Sequence, residues 1–159
     1  MGTVGSLMWP VTAVHSEQKL PLGTLYEDKD GNVYRYVQNV KGSALATQYA
    51  ALVESTEGTG KVVLAGDGTA IGVEFAGLQA TSDSVADDYF FMALVATRSQ
   101  ASVPCTVGVS AAGKPLIVSG ASPGKLTAAG TADEEKVVGV SLGAVAAGVA
   151  TVKLYRDVP

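Results

Sequence analysis

The amino-acid sequence predicts an all-β fold, a compact antiparallel β-sandwich or barrel with at most one or two short helical turns and an extended N-terminal arm. Apolar runs of about five to eight residues recur along the chain, and clusters of Gly, Pro, Asn, Asp and Ser separate them, as is typical of such folds. The first 20 residues differ, because they lack this alternation. The 159 residues suffice for one domain with a real core. We therefore assign residues 1–20 to the arm and residues 21–159 to a single β domain.

Each predicted strand is a short apolar or alternating run that ends at a turn signal. The predicted strands are Gly23–Glu27, Val33–Val40, Gln48–Glu54, Lys61–Leu64, Ala70–Phe75, Tyr89–Thr97, Ser102–Val109, Pro115–Val118, Lys136–Ser141 and Ala150–Tyr155. The turn signals are DGN at 30–32, GDG at 66–68, AAGK at 111–114, SPG at 122–124 and AAG at 146–148.

Two segments fit a helical turn. Ser43 can cap a turn over Ala44–Thr47, although the same letters also fit a turn followed by a strand that ends at Glu54. Thr131 can cap a turn within residues 131–138, where three acidic side chains would lie favourably near the positive end of the helix.

Composition excludes several classes of function. A net charge of −4 with 11 scattered basic residues argues against a nucleic-acid partner, which requires clustered Lys and Arg. No apolar run approaches the ~20 residues that span a bilayer, so no membrane partner is expected. The single cysteine, Cys105, cannot form an internal disulfide and is expected to be a small buried hydrophobe. We expect a soluble protein that is made in a reducing compartment, or at least one that does not depend on disulfides.

The stretch YEDKDGNVYRYVQN begins like a calcium-binding loop. Counting from Asp28, oxygen ligands fall at positions 1, 3 and 5, but Val33 and Asn39 stand where the loop requires Gly and Glu. The period-two alternation that follows indicates a strand. We therefore predict a hairpin that turns at Asp30 and Gly31.

No catalytic or cofactor-binding constellation is recognised. His15 is the only imidazole and lies in the arm, and Asp87 and Asp88 are best explained as polar residues at the entry to an apolar strand. The stretch GTGK at 58–61 lacks the Ser or Thr of a phosphate loop and leads into a strand. The sequence therefore predicts neither an enzyme nor a bound cofactor or metal.

Three apolar features suggest surfaces for protein partners. The arm carries a compact apolar group for which docking on a partner is the favoured interpretation. The tyrosines of the predicted hairpin form either a packing face, in a core or a subunit interface, or a sugar-stacking platform. The strand Tyr89–Thr97 is apolar on both faces, so it is either central or covered by another chain. The candidate partner-binding residues are Met8, Trp9, Val11, Tyr34, Tyr36, Tyr89 and Phe91.

Four stretches, in order, resemble the small β-rich decoration (cement) proteins of tailed bacteriophage capsids. They are LGTLYEDKDGNVYRYVQN (22–39), DDYFFMALVAT (87–97), VGVSAAGKPLIVSG (107–120) and KVVGVSLGAVAAGVATVKLYR (136–156). One departure is Thr97-Arg98, where that family's pattern has a glycine.

The resemblance implies a structural virion protein. Such a protein would be made in the host cytoplasm, would trimerise on the outer surface of the icosahedral head and would bind across subunits of the major capsid protein. The arm would add a strand to a neighbour, so its deletion is expected to weaken shell binding and leave the fold intact. The alternative is a receptor- or glycan-binding β module of a head or tail fibre.

Overall fold

The computed structural model describes residues 3–40, 47–66, 74–82, 89–133 and 136–155. The regular structure within these ranges is β-strand, which confirms the predicted all-β class. The strands are β1 Thr3–Val4, β2 Val14–His15, β3 Leu25–Glu27, β4 Val33–Asn39, β5 Ala51–Glu54, β6 Lys61–Leu64, β7 Phe75–Gln79, β8 Phe90–Ala96, β9 Gln100–Pro104, β10 Pro115–Val118, β11 Leu126–Ala128, β12 Gly139–Ser141 and β13 Val149–Leu154.

Five strands close into a barrel in the order β4-β6-β5-β7-β8, and β8 returns to pair with β4. The β4–β8 ladder is antiparallel from Val33↔Ala96 to Gln38↔Phe90, whereas β4 and β6 are parallel. Side chains alternate along each strand, so one side chain in two points into the barrel. The buried interior residues are Val37, Leu52, Val62, Ala76, Phe91 and Ala93.

Strand β8 is apolar on both faces because it separates two cores. Phe91 and Ala93 point into the barrel, while Phe90, Met92 and Leu94 point outward into a second cluster. The strand is therefore central within this chain, and both of its faces are covered by the chain's own residues.

The second sheet covers the outer face of the barrel. Its strands are antiparallel in the order β11-β10-β12-β13-β9, and a bridge between Cys105 and Leu126 brings its two edges together. Its inner residues join outward-facing barrel residues in one core, which includes Leu78, Met92 and Leu94 of the barrel. The inner residues of the second sheet are Val103, Cys105, Leu116, Leu126, Val152 and Leu154.

Cys105 is a buried free thiol, as predicted. Burial raises the pKa of Cys105 to about 11. Because the thiolate is the reactive form of cysteine, this side chain is chemically inert at neutral pH and acts as a packing residue.

The predicted hairpin joins β3 to β4. Gly31 adopts φ +81°, and the Asp28 carboxylate accepts hydrogen bonds from the backbone N–H groups of Asp30 and Asn32 at 2.9 Å each. Burial opposes the charge of Asp28, but a hydrogen bond from the Asn32 side chain at 2.9 Å, together with these backbone bonds, outweighs it and holds the pKa of Asp28 below its usual value. The carboxylate that resembled a calcium ligand is a component of the turn.

The N-terminal segment belongs to the sheet of this domain. Strand β1 pairs in parallel with β3, and β2 pairs antiparallel with β8. Between the two strands, Leu7 and Val11 pack against the outer core. Residues 3–20 therefore run from one side of the β3–β4–β8 region to the other and pack on their own domain.

The predicted and observed strand boundaries agree best where turn signals lie close to both ends of a strand. Strands β6 and β10 match the sequence prediction to the residue. The prediction at Ser102–Val109 was wrong at its C-terminal end, because β9 ends at Pro104 and the chain then turns, with the Val109 N–H donating to the Thr106 carbonyl at 3.1 Å. Strands β1, β2 and β11 were not predicted, and β7 lies C-terminal to the predicted Ala70–Phe75, of which residues 70–73 lie outside the described ranges. Both predicted helical turns also include residues outside those ranges, 44–46 and 134–135.

We predict that Gly139→Ala destabilises the second sheet. A Cβ at this position would meet the carbonyl oxygen of Lys153 and would lie 3.0 Å from the Cα of Leu154, both backbone atoms of the adjacent β13. The expected loss in the free energy of unfolding is about 1–3 kcal/mol, measured by chemical denaturation.

The matched control is Gly143→Ala in the next loop, where a Cβ would have no neighbour within 4 Å. It should change the free energy of unfolding by less than about 0.5 kcal/mol. Equal effects of the two substitutions would contradict the proposed close approach of β12 and β13.

Candidate functional site

The N-terminal segment is held against the domain at Tyr36. Strand β2 adds to the edge of β8 with His15 opposite Phe90. The Tyr36 hydroxyl accepts a hydrogen bond from the backbone N–H of Lys19 at 3.2 Å and lies 3.3 Å from His15 Nδ1. The hydroxyl of a buried tyrosine therefore fixes the path of residues 15–19 over the sheet.

Four rings form what we term the aromatic layer: Trp9, His15, Tyr36 and Phe90. The ring centroids of Trp9 and His15 lie 4.6 Å apart in an edge-to-face arrangement. Those of His15 and Tyr36 lie 6.2 Å apart, and Tyr36 stacks on Phe90 at 6.0 Å. Such contacts add to the stability that burial alone provides.

The aromatic layer changes the interpretation of the candidate partner-binding residues. Tyr36 and Phe91 are fully buried and Tyr34 is 8% exposed, so these three side chains offer no surface to a partner. Trp9 and Val11 are half-buried against the domain. The arm, which the sequence singled out for binding a partner, therefore packs on Tyr36 of its own domain, while Tyr34 stacks on Tyr26.

Met8 and Tyr89 remain accessible. Met8 is 94% exposed beside the aromatic layer, and Tyr89 is 37% exposed at the start of β8. Of the seven candidate residues, these two have the most surface available for a protein partner.

A further apolar surface lies at one end of the second sheet. The register places the end of β9, the start of β10, the end of β12 and the start of β13 at the same end. The two loops that leave this end lie side by side, because Val145 N–H donates to the Val109 carbonyl at 2.8 Å. We term residues 106–112 and 142–148 the loop-end surface.

The loop-end surface is uncharged and apolar. Its two segments read TVGVSAA and LGAVAAG and contain no Asp, Glu, Lys or Arg. Val107 is 90% exposed and Leu142 is 45% exposed, with exposed alanines beside them. The sequence predicted a strand end, turns and a family resemblance in these segments but not the surface, although two glycine-punctuated runs without polar alternation were the available signal.

In contrast to the loop-end surface, the mouth of the barrel carries charged side chains. Arg35 of β4 and Glu54 of β5 point inward, and Arg35 Nη1 lies 3.4 Å from Glu54 Oε1 with both side chains largely buried. A pocket of about 350 Å³ opens beside this ion pair. We term it the barrel-mouth pocket, and its lining residues are Arg35, Glu54, Ser55, Thr56, Gly58, Thr59 and Glu74.

A hydrogen bond only partly offsets the burial of the Glu54 carboxylate in this pocket. Glu54 Oε2 accepts a hydrogen bond from the backbone N–H of Gly60 at 3.0 Å. Burial, aided by the charge of Glu74, nevertheless raises the pKa of Glu54 above its usual value. The GTGK stretch thus supplies an N–H to a carboxylate of its own chain at the position that resembled a phosphate loop.

The described residues contain no group of three or more His, Cys, Asp and Glu side chains that could hold a metal ion. Asp87 and Asp88 lie outside those ranges. Nowhere in the described part of the chain is there a helix of the length and apolarity needed to cross a bilayer.

Comparison of the chain with protein-family models, with curated proteins and with solved structures found no match. The resemblance to capsid decoration proteins therefore rests on the order of the four sequence stretches.

We predict that His15 makes stability depend on pH. Burial and the nearby charge of Lys19 lower the pKa of His15 below its usual value of 6.5. The unfolded chain then binds the proton more readily, so this contribution to stability is present above pH 6.5 and is lost as the pH falls below it. Denaturant midpoints should therefore fall between about pH 7.5 and about pH 5.

His15→Gln is the control, because His15 is the only histidine in the chain. The difference between the two proteins removes the contributions of the carboxyl groups, including Glu54. Parallel pH profiles for the two proteins would rule out the role of His15.

Proposed function

We propose that this chain is a structural protein of a tailed-phage head, which binds as a trimer on the outer surface across subunits of the major capsid protein. The observation that carries the proposal is the loop-end surface, an uncharged apolar area of the second sheet. All of these residues except Thr106 lie within the third and fourth stretches that resemble decoration proteins. The loop-end surface is proposed to face the shell.

The loop-end surface has the properties that a protein needs to stabilise a capsid shell. A decoration protein makes the same contact many times, so each contact needs apolar area and shape complementarity and no reactive group. Large exposed apolar side chains such as Val107 mark interaction sites on soluble proteins. The small alanines and glycines around it allow close approach of a partner's backbone.

The N-terminal segment has a different role in this proposal. It covers Tyr36 and Phe90 of its own domain, so its deletion would expose buried aromatic rings and lower stability. Deletion of residues 1–20 is therefore a poor test of shell binding, and single substitutions on the loop-end surface are better ones.

The fibre alternative loses its main support. A receptor- or glycan-binding module was suggested by Tyr34 and Tyr36 as a stacking platform, and both rings lie in the core.

We predict that Val107→Asp and Leu142→Asp each weaken binding to expanded heads of the phage that encodes the chain by about tenfold or more, because a charge would be buried against an apolar partner. Co-sedimentation of purified protein with undecorated heads measures the affinity. Both positions are exposed, so thermal stability should stay unchanged.

Thr151→Asp is the matched control, since Thr151 is an exposed residue of β13 outside the loop-end surface. It should bind heads like the unmodified protein. Full binding by both loop-end variants would remove this surface from the contact.

We also predict that the protein is a trimer in solution or becomes one on the head. Analytical ultracentrifugation and subunit counting on decorated heads measure this directly. A protein that stays monomeric and does not bind expanded heads would refute the capsid proposal.

A further inference from the structure

The barrel-mouth pocket contains a guanidinium that the described chain does not satisfy. Arg35 is only 8% exposed, and its one ion-pair contact among the described residues, to Glu54, is long at 3.4 Å. Its Nε is buried and has no hydrogen-bond partner in the same part of the chain. Arginine carries five N–H donors, and buried donors without acceptors cost free energy. A ligand with oxygen acceptors at this position would recover that free energy.

The charges around Arg35 restrict the class of ligand. Glu54 and Glu74 line the same pocket, so one guanidinium faces two carboxylates. A phosphate or carboxylate ligand would be repelled by the two glutamates. A cation would be attracted by the glutamates but would offer no acceptor to the buried N–H of Arg35. A neutral ligand avoids both penalties.

The lining also requires a ligand that both donates and accepts. Arg35 offers only donors, and ionised Glu54 and Glu74 offer only acceptors. Three hydroxyl side chains, Ser55, Thr56 and Thr59, can do either. A pair of neighbouring hydroxyl groups on a sugar ring meets both needs, because each hydroxyl accepts from a guanidinium and donates to a carboxylate.

We propose that the barrel-mouth pocket binds a neutral sugar unit, with Arg35 donating to ring hydroxyl oxygens and the glutamates accepting from ring hydroxyl groups. The volume of about 350 Å³ lies at the small end of the range for small-ligand sites, as a single pyranose requires. This site is separate from the loop-end surface and does not depend on the capsid proposal.

The test is an NMR titration of the ¹⁵N-labelled full chain with glucose, galactose, mannose and N-acetylglucosamine at millimolar concentrations. At least one sugar should shift the backbone amide signals of Gly58 and Gly60 in a saturable way. Acetate and inorganic phosphate serve as anionic probes and should leave these signals unchanged.

Two substitutions at the pocket rim test the contacts without disturbing the core. Glu74→Gln and Thr59→Val alter exposed residues. Glu74→Gln should weaken sugar binding about tenfold, as expected for the loss of a hydrogen bond to a charged group. Thr59→Val should weaken it about threefold, as expected for a neutral one.

Glu57→Gln is the matched control. It removes the same charge as Glu74→Gln, from the β5–β6 loop that also carries Thr59, but Glu57 does not line the pocket. It should bind the sugar like the unmodified chain, and the melting temperatures of all three variants should agree.

Three results would overturn the proposal. They are the absence of saturable shifts with every sugar, shifts that persist unchanged in both rim variants, and binding of acetate or phosphate in preference to the sugars.

Discussion

The antiparallel pairing of β4 with β8 is the interaction on which the rest of the structure depends. It closes the barrel, and it joins strands that are more than fifty residues apart in the sequence. On its inner side Val37 and Phe91 fill the barrel. On its outer side Met92 and Leu94 pack toward the second sheet. The hydrophobic packing of both cores therefore depends on this one ladder.

The positions of the aromatic layer and of the barrel-mouth pocket both depend on this ladder. Beside Phe90, strand β8 has an edge to which β2 adds. The aromatic layer, in which Tyr36 stacks on Phe90, holds the N-terminal segment at this edge. Arg35, one residue before Tyr36, points to the other side and reaches the barrel mouth. Neighbouring residues of one strand thus carry a structural contact on one face and the proposed sugar site on the other, because successive side chains alternate.

The sequence predicted the features that depend on local chemistry. The turn at Asp30-Gly31 was predicted because glycine tolerates a positive φ, and β6 and β10 were predicted because glycine and lysine bound short apolar runs. Burial of Cys105 followed from its apolar neighbours.

Features that depend on distant partners were not predicted. The alternation in β4 separated Arg35 and Val37 from the tyrosines but did not show that the first set lies inside a barrel. The two-residue strand β2 has no periodicity to detect, and its position depends on an edge that exists only after β4 and β8 pair. For the same reason the sequence did not show that the arm packs on Tyr36 of its own domain. Strand β7 was displaced in the prediction because Gly77 interrupts its apolar pattern.

We propose that this chain decorates a phage head through its second sheet. Cryo-electron microscopy of heads from the phage that encodes it, with and without the gene for this chain, tests the claim most directly. The account predicts trimeric density on the outer surface at threefold and quasi-threefold positions, present only with the gene, with residues 106–112 and 142–148 against the shell. Identical heads in the two preparations, or density for this chain in a tail fibre, would contradict it.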